Sequence, residues 1–297
     1  MPRDVPPNPR HVKSVARAIL GRTRVDAAGR SRCGCSGRRA AVELNSRVDD
    51  SYAEVYARQC VAAVLISTGD PRGAQSHSDA MLSMAERTRY RRGLVSALGL
   101  SAVLHLFKGD WALTGELTDR GLGLNSSHRI LIATRVLLEH TLGEVDRAKG
   151  YPERVLMRPR HPLMLHIAMA LGDGMAVSGE HLEAATEAAR TVLSSSGALP
   201  VTAMEANVAL GLVAVGQADR VAAEEQYAAL EPVRAMFPVP DTCFISVDRL
   251  LGLLALTMGQ AGQALAHFDD AQAFCRNAGY RDTVSKAGCV PSTGGDS

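Results

Sequence analysis

The sequence predicts an all-α protein made of repeated helical hairpins, and three observations support this prediction. The chain of 297 residues is 46% hydrophobic, and alanine and leucine supply much of that content. Only 4% of the residues are aromatic, a composition that favours closely packed helices over β-sheets rich in aromatic and β-branched residues. The third observation is a glycine that recurs between helix-like segments.

The recurring glycines stand at similar places in six successive segments: Gly69, Gly109, Gly143, Gly179, Gly216 and Gly259. They are separated by 40, 34, 36, 37 and 43 residues, a period typical of solenoid proteins. An acidic or amide residue follows each glycine, which suits the first turn of a helix. Each glycine is therefore predicted to end one helix in the left-handed conformation and to begin the turn of a hairpin.

Small residues accompany each glycine at two fixed distances. Seven positions before the glycine stand Ala62, Ala102, Val136, Gly172, Ala209 and Gly252, and five positions after it stand Ala74, Thr114, Ala148, Ala184, Val221 and Ala264. A small residue at a helix crossing lets two backbones approach closely. These positions are predicted to be the contacts within each hairpin.

Six helical hairpins follow from this pattern, taken in chain order. The predicted helices span 52–67 and 71–88, 92–108 and 111–123, 127–142 and 145–157, 163–178 and 180–195, 201–215 and 217–236, and 242–258 and 260–278. Pro152 falls within the sixth of these helices and would remove a backbone hydrogen bond there, so this helix is expected either to begin near Pro152 or to be short and to end at Arg158 to Pro162. The sequence thus divides into a basic, disordered extension at 1–50, a repeat domain at 51–281 and a disordered tail at 282–297.

The charge is unevenly distributed between the extension and the repeats. Residues 1–47 hold 11 Lys and Arg against 3 Asp and Glu, a net charge of +8, whereas the remaining residues carry −6. The six cysteines follow no disulfide or zinc spacing, and no apolar run is long enough to cross a bilayer. We expect a cytoplasmic protein with no membrane-spanning segment.

The last unit resembles a tetratricopeptide repeat, a helical hairpin of about 34 residues. Gly252, Gly259, Ala264, Phe268 and Ala271 match the small, turn and aromatic positions of that repeat. The phrase "LLGLLALTMGQAGQALAHFDDAQAFCRNAGYR" is similar to the repeat region of large bacterial signalling proteins. In those proteins the repeats accompany an ATPase module and either a LuxR-type DNA-binding domain or an adenylate cyclase domain. The resemblance covers about Tyr52 to Arg281 and none of those catalytic or DNA-binding segments.

This resemblance implies a sensor or regulatory repeat region, expected to be a fragment or remnant of a larger regulator. The sequence also lacks a phosphate-binding loop, a nucleophile elbow and histidines at metal-ligand spacing. We therefore predict a non-enzymatic scaffold with no cofactor and no metal site. Two alternatives remain: a DNA-associated regulator that uses the basic residues 1–47, with nucleic acid the less favoured partner, or a fragment of an ATPase or cyclase regulator.

The concave face of the first helices is the candidate binding surface. Its polar and aromatic members are Tyr56, Gln59, His140, His166 and Arg249. A largely apolar groove of this kind suits a protein or peptide segment, such as a helix of a fused or associated regulatory domain. The alternative is that the superhelix is tight and this face belongs to the core.

Overall fold

The computed structural model describes residues 51–144, 179–196, 200–237 and 245–281. Within these residues the fold is entirely helical and contains no strand, which confirms the all-α prediction for this part of the chain. The ten α-helices are α1 (Ser51–Ser67), α2 (Pro71–Arg87), α3 (Arg91–Lys108), α4 (Trp111–Leu124), α5 (Arg129–Leu142), α6 (Gly179–Ser194), α7 (Pro200–Gly216), α8 (Arg220–Leu230), α9 (Val247–Thr257) and α10 (Ala261–Ala278). A 3₁₀ turn, Glu231–Val233, follows α8.

Several predicted segments lie outside the described residues. These are the extension at 1–50, the helices at 145–157 and 163–178, and the tail at 282–297. None of the described helices combines the length and the apolar character that a bilayer-crossing segment needs.

Neighbouring helices pack as the predicted hairpins. Helix α1 packs on α2, α3 on α4, α7 on α8 and α9 on α10, and the first helices of successive hairpins also contact each other, α1 with α3, α3 with α5 and α7 with α9. The predicted helix at 217–236 is wrong at both ends, because α8 spans only Arg220–Leu230. It stops before Pro232, whose ring nitrogen has no hydrogen with which to continue the α-helical ladder.

Four of the six recurring glycines adopt the predicted left-handed conformation. Gly69, Gly109, Gly143 and Gly259 have φ between 78° and 80°. Because L-residues with a Cβ rarely adopt this backbone, glycine ends these helices at little cost. The aspartates after the first two glycines cap the next helix: Asp70 accepts from Gly73 N–H and Asp110 accepts from Leu113 N–H.

The turn of the fifth hairpin lies two residues later than predicted. Gly216 is the last residue of α7, and Ala218 instead takes the left-handed conformation with φ 51°. Asp219, not Gln217, caps α8 by accepting from the Ala222 N–H at 3.1 Å. Val221, predicted to be a small core residue, is 68% exposed, so that assignment was wrong.

Counting from Ala218 makes the fifth hairpin equivalent to the sixth. Gly211, Ala223 and Tyr227 take the places of Gly252, Ala264 and Phe268. Ala223 and Ala264 are both fully buried. A Cβ added to Gly252 would lie 2.5 Å from the Phe268 ring, and one added to Gly211 would lie 3.2 Å from a methyl of Leu250. Gly252 therefore permits the close approach of α9 and α10 that the pattern predicted, whereas Gly211 lets α7 approach α9 of the next hairpin.

The end of the chain's described part packs against its beginning. The hydroxyl of Tyr280 donates to the Ile66 carbonyl at 2.8 Å, and the Arg281 N–H donates to the Phe107 carbonyl at 2.8 Å. The Phe237 N–H donates to the Ser67 carbonyl at 3.0 Å. These carbonyls belong to the last turns of α1 and α3, where intrahelical donors are missing. Residues remote in sequence therefore complete the ends of these two helices.

Four aromatic rings surround these hydrogen bonds: Phe107, Phe237, Phe274 and Tyr280. Their neighbouring centroids lie between 5.2 and 6.4 Å apart. They join one core cluster with apolar residues of α1, α2, α3 and α5. In a simple repeat array each unit contacts only its neighbours. The contact between the last hairpin and the first two was not predicted, and it closes the described fold on itself.

Candidate functional site

The face predicted to line a concave groove is largely interior. The buried positions on it are Ile130, Ala133, Leu137, Ala206, Val213, Ser246, Arg249 and Leu253. Among the members of this face whose side chains the structure describes, Tyr56 and Leu256 are the well exposed ones, at 43% and 48%. Burial of so many positions favours the alternative interpretation, in which most of this face belongs to the core.

The five predicted site residues differ in their environments. Tyr56 is exposed near the start of α1, and Gln59 lies almost one turn later and is half-buried. Arg249 is buried in α9, so it does not present its side chain to a partner as predicted. His140 belongs to α5, but its side chain is not among those described, and His166 lies outside the described residues. Tyr56 and Arg249 stand on helices that border different core clusters.

A group of polar side chains between α8, α9 and α10 has more distinctive chemistry. It consists of Tyr227, Arg234, Asp248, His267 and Asp270, and we call it the buried polar cluster. Asp248 and His267 are 2% and 5% exposed, whereas the side chains of Arg234 and Asp270 are about half exposed, at 46% and 51%. The cluster thus reaches from the core between the last two hairpins to the surface.

The turn after α8 positions Asp248. Ala235, in the left-handed conformation with φ 59°, donates its N–H to Asp248 Oδ2 at 2.6 Å. The other carboxylate oxygen, Oδ1, lies 3.5 Å from Arg234 Nε. The far side of the Arg234 guanidinium pairs with Asp270 on α10. One exposed cation therefore bridges a buried and an exposed carboxylate.

His267 is held from the opposite side by Tyr227. The Tyr227 hydroxyl lies 2.7 Å from His267 Nε2, and Gln263 Nε2 donates to the same hydroxyl at 2.6 Å. The two rings meet edge to face with centroids 5.6 Å apart. Partial burial, reinforced by the negative charge of Glu231, raises the pKa of Tyr227. This tyrosine therefore stays a neutral hydroxyl near pH 7 and fixes the orientation of the imidazole.

Asp248, His267 and Tyr227 supply a carboxylate, an imidazole and a hydroxyl, the groups of a nucleophilic triad. Their geometry, however, is not that of a triad. His267 Nδ1 and Asp248 Oδ1 are 3.7 Å apart, beyond the distance of a hydrogen bond. The raised pKa of the Tyr227 hydroxyl is also the opposite of what an activated nucleophile needs. These three residues are therefore not arranged for nucleophilic catalysis.

Sequence reasoning missed this cluster because its members come from four separate segments. The sequence has no histidines at metal-ligand spacing, and His267 lies within the regular helix predicted at 260–278. The one available signal was Asp248, a carboxylate in the apolar stretch "VDRLLGLLAL". A charged residue in such a stretch must find a partner when it is buried.

Comparison of the chain with protein-family models, with curated proteins and with solved structures gives no significant match.

Proposed function

We propose that the chain is a non-enzymatic scaffold for protein interaction, the tetratricopeptide-like regulatory region of a bacterial signalling or transcriptional regulator. The observation that supports this most is the equivalence of the last two hairpins. Gly211 and Gly252, Ala223 and Ala264, and Tyr227 and Phe268 occupy matching places in them. Both alanines are fully buried, and hairpins that share core positions in this way are the units from which repeat proteins build binding surfaces.

The exposed part of the first-helix face is the proposed contact surface. Tyr56 on α1 and Leu256 on α9 are large apolar side chains exposed on first helices, and the half-buried Gln59 adds an amide beside Tyr56. Tyrosine is enriched at binding hot spots because its ring buries a large area with few rotatable bonds. The net charge of −6 on residues 48–297 favours a basic amphipathic helix as the partner segment.

Site-specific crosslinking tests this surface. A photoreactive phenylalanine analogue would replace Tyr56 or Leu256, with Leu265 and Val221 as matched controls, because both are exposed apolar residues outside the proposed face. We expect the same partner to be captured from Tyr56 and Leu256 and not from the controls. With that partner purified, Tyr56→Ala and Leu256→Ala should each weaken binding roughly tenfold, the scale of a hot-spot residue.

Two results would contradict the proposal. Equal capture from all four positions would show that the first-helix face has no special role. Unchanged affinity of both alanine variants for the purified partner would remove these residues from the interface.

A further inference from the structure

We propose that Asp248, His267 and Asp270 form a binding site for a divalent transition-metal ion, with Zn²⁺ as the best fit. Each residue offers one donor atom, and the three donor atoms lie within 4.8 Å of one another. One imidazole nitrogen with two carboxylate oxygens is a donor set that Zn²⁺ and neighbouring first-row ions accept. The inference does not depend on the proposed scaffold function.

Two of the donor atoms are buried without a hydrogen bond. Asp248 Oδ1 and His267 Nδ1 find no hydrogen-bond partner among the described residues, although both residues are more than nine-tenths buried. A buried polar atom left in this way costs free energy. The two atoms lie 3.7 Å apart. An ion between them would satisfy both at once.

The other polar atoms of these two side chains, Asp248 Oδ2 and His267 Nε2, are hydrogen-bonded, as they commonly are in metal ligands. Asp248 Oδ2 accepts the Ala235 N–H, and His267 Nε2 is in hydrogen-bond contact with the Tyr227 hydroxyl. Such outer contacts fix the orientation of ligating carboxylates and imidazoles and tune their affinity. Binding at Nδ1 requires the tautomer in which Nε2 carries the proton and donates to Tyr227. The hydroxyl then accepts from both His267 and Gln263.

Arg234 is the competitor for this site. Its guanidinium pairs with Asp270 and approaches Asp248 Oδ1 at 3.5 Å. Ligands of a tetrahedral ion with bonds of ~2.0 Å lie about 3.3 Å apart, so the donor atoms must move closer together. Asp270 is exposed enough to rotate away from Arg234, and Arg234 is exposed enough to withdraw into solvent. Metal binding therefore exchanges one cation for another.

The site joins α9 to α10, since Asp248 comes from the first helix and His267 and Asp270 from the second. His267 and Asp270 are three residues apart on one face of α10. Water or a fourth group would complete the coordination. Because the ion binds the folded chain, it should stabilise the fold by mass action.

The test uses the full chain, freed of metal by a chelator, and measures Zn²⁺ affinity by competition with a chromophoric chelator. Asp270→Asn should weaken binding more than about tenfold, since even outer-shell partners contribute about 10–100-fold. Asp269→Asn is the matched control, because Asp269 is an exposed carboxylate on the same helix and its loss changes the net charge equally. This control should keep the wild-type affinity and the wild-type thermal shift on adding Zn²⁺.

Arg234→Gln should change the Zn²⁺ affinity in the opposite direction. Removal of the competing charge should tighten Zn²⁺ binding on the order of tenfold, by the Coulomb repulsion between the two cations at water-like dielectric constant. A circular dichroism spectrum of each variant confirms that it is folded.

Two results would overturn the site. Equal Zn²⁺ affinity of Asp270→Asn and Asp269→Asn would show that Asp270 is not a ligand. A Co²⁺-loaded protein whose spectrum shows thiolate-to-metal charge transfer would assign binding to cysteines, such as the pair Cys33 and Cys35.

Discussion

At Gly252, the missing side chain allows the ring of Phe268 to lie against α9. The glycine belongs to the buried centre of α9, and an added Cβ would meet three ring atoms at 2.5 to 3.0 Å. The ring can retreat only by disturbing the core of the last hairpin, in which it packs. The small-residue rule read from the sequence therefore corresponds to a physical contact at this position.

We predict that Gly252→Ala destabilises the protein by about 1–3 kcal/mol, the usual cost of overpacking. Gly262→Ala is the control, because Gly262 lies in α10 with no atom within 4 Å of its added Cβ. That change should be neutral or stabilising by up to about 1 kcal/mol, since alanine is the better helix former. Urea denaturation of both variants measures the difference, and equal midpoints would contradict the contact.

The residue scale also shows what sequence reasoning could not find. Asp248, His267 and Asp270 come together only because α9 and α10 pack and the turn at Ala235 reaches Asp248. Spacing along the chain reports only neighbours on one helix, so it gave no sign that Asp248 would meet His267 and Asp270. Tyr56, predicted to contact a partner, is exposed, whereas Arg249, predicted on the same face, is buried.

At the scale of elements, the turns explain both the success and the error of the predicted helix ends. Where a glycine ends the first helix and an aspartate caps the second, as at Gly69 and Asp70, the predicted boundaries agree with the structure. In the fifth hairpin Gly216 resembled a turn glycine, but the left-handed residue is Ala218. The cap at Asp219 decides the register, because its side chain satisfies a free N–H of α8.

The position of this turn predicts opposite effects on stability for two glycines that the sequence pattern places at equivalent turns. Gly259→Ala should destabilise by about 1 kcal/mol, because its φ of 80° is strained for alanine while its Cβ would meet no other atom. Gly216→Ala should stabilise by roughly 0.5–1 kcal/mol, because Gly216 belongs to α7. Thermal or urea unfolding distinguishes them, and a shared sign would contradict the assigned turn.

At the scale of the whole molecule, the residues that follow the last helix, α10, donate hydrogen bonds to the carbonyl ends of α1 and α3 in the first two hairpins. Burial, with smaller contributions from Asp70 and Cys275, raises the pKa of Tyr280. The hydroxyl that donates to Ile66 must stay protonated to do so. No local pattern in the sequence reports this contact, because its partners are 214 residues apart. The period of the sequence describes one hairpin and its neighbours. The contact between the last hairpin and the first two depends instead on how the helices between them are oriented.

The contact between the last hairpin and the first two should make the stability of the fold depend on pH, because it includes the Tyr280 hydroxyl. Because its folded pKa lies above the unfolded value of about 10, its contribution to stability is complete below pH 10. It is lost above pH 10, at up to about 1.4 kcal/mol per pH unit. Tyr280→Phe should cost about 1 kcal/mol at pH 7 by removing the hydrogen bond and should flatten the decline above pH 10. Urea unfolding at pH 7 and pH 11 measures both effects; an unchanged decline in the variant would contradict the assignment.

The hydrogen bond between the Tyr280 hydroxyl and the Ile66 carbonyl also limits which insertions and deletions of hairpins the chain can tolerate. An open array tolerates duplication or deletion of one unit, because each new copy meets the same neighbours. Here one additional hairpin would carry Tyr280 away from Ile66 and separate the four rings that meet there. We therefore expect relatives of this chain to vary in the lengths of their loops and to keep the same number of hairpins.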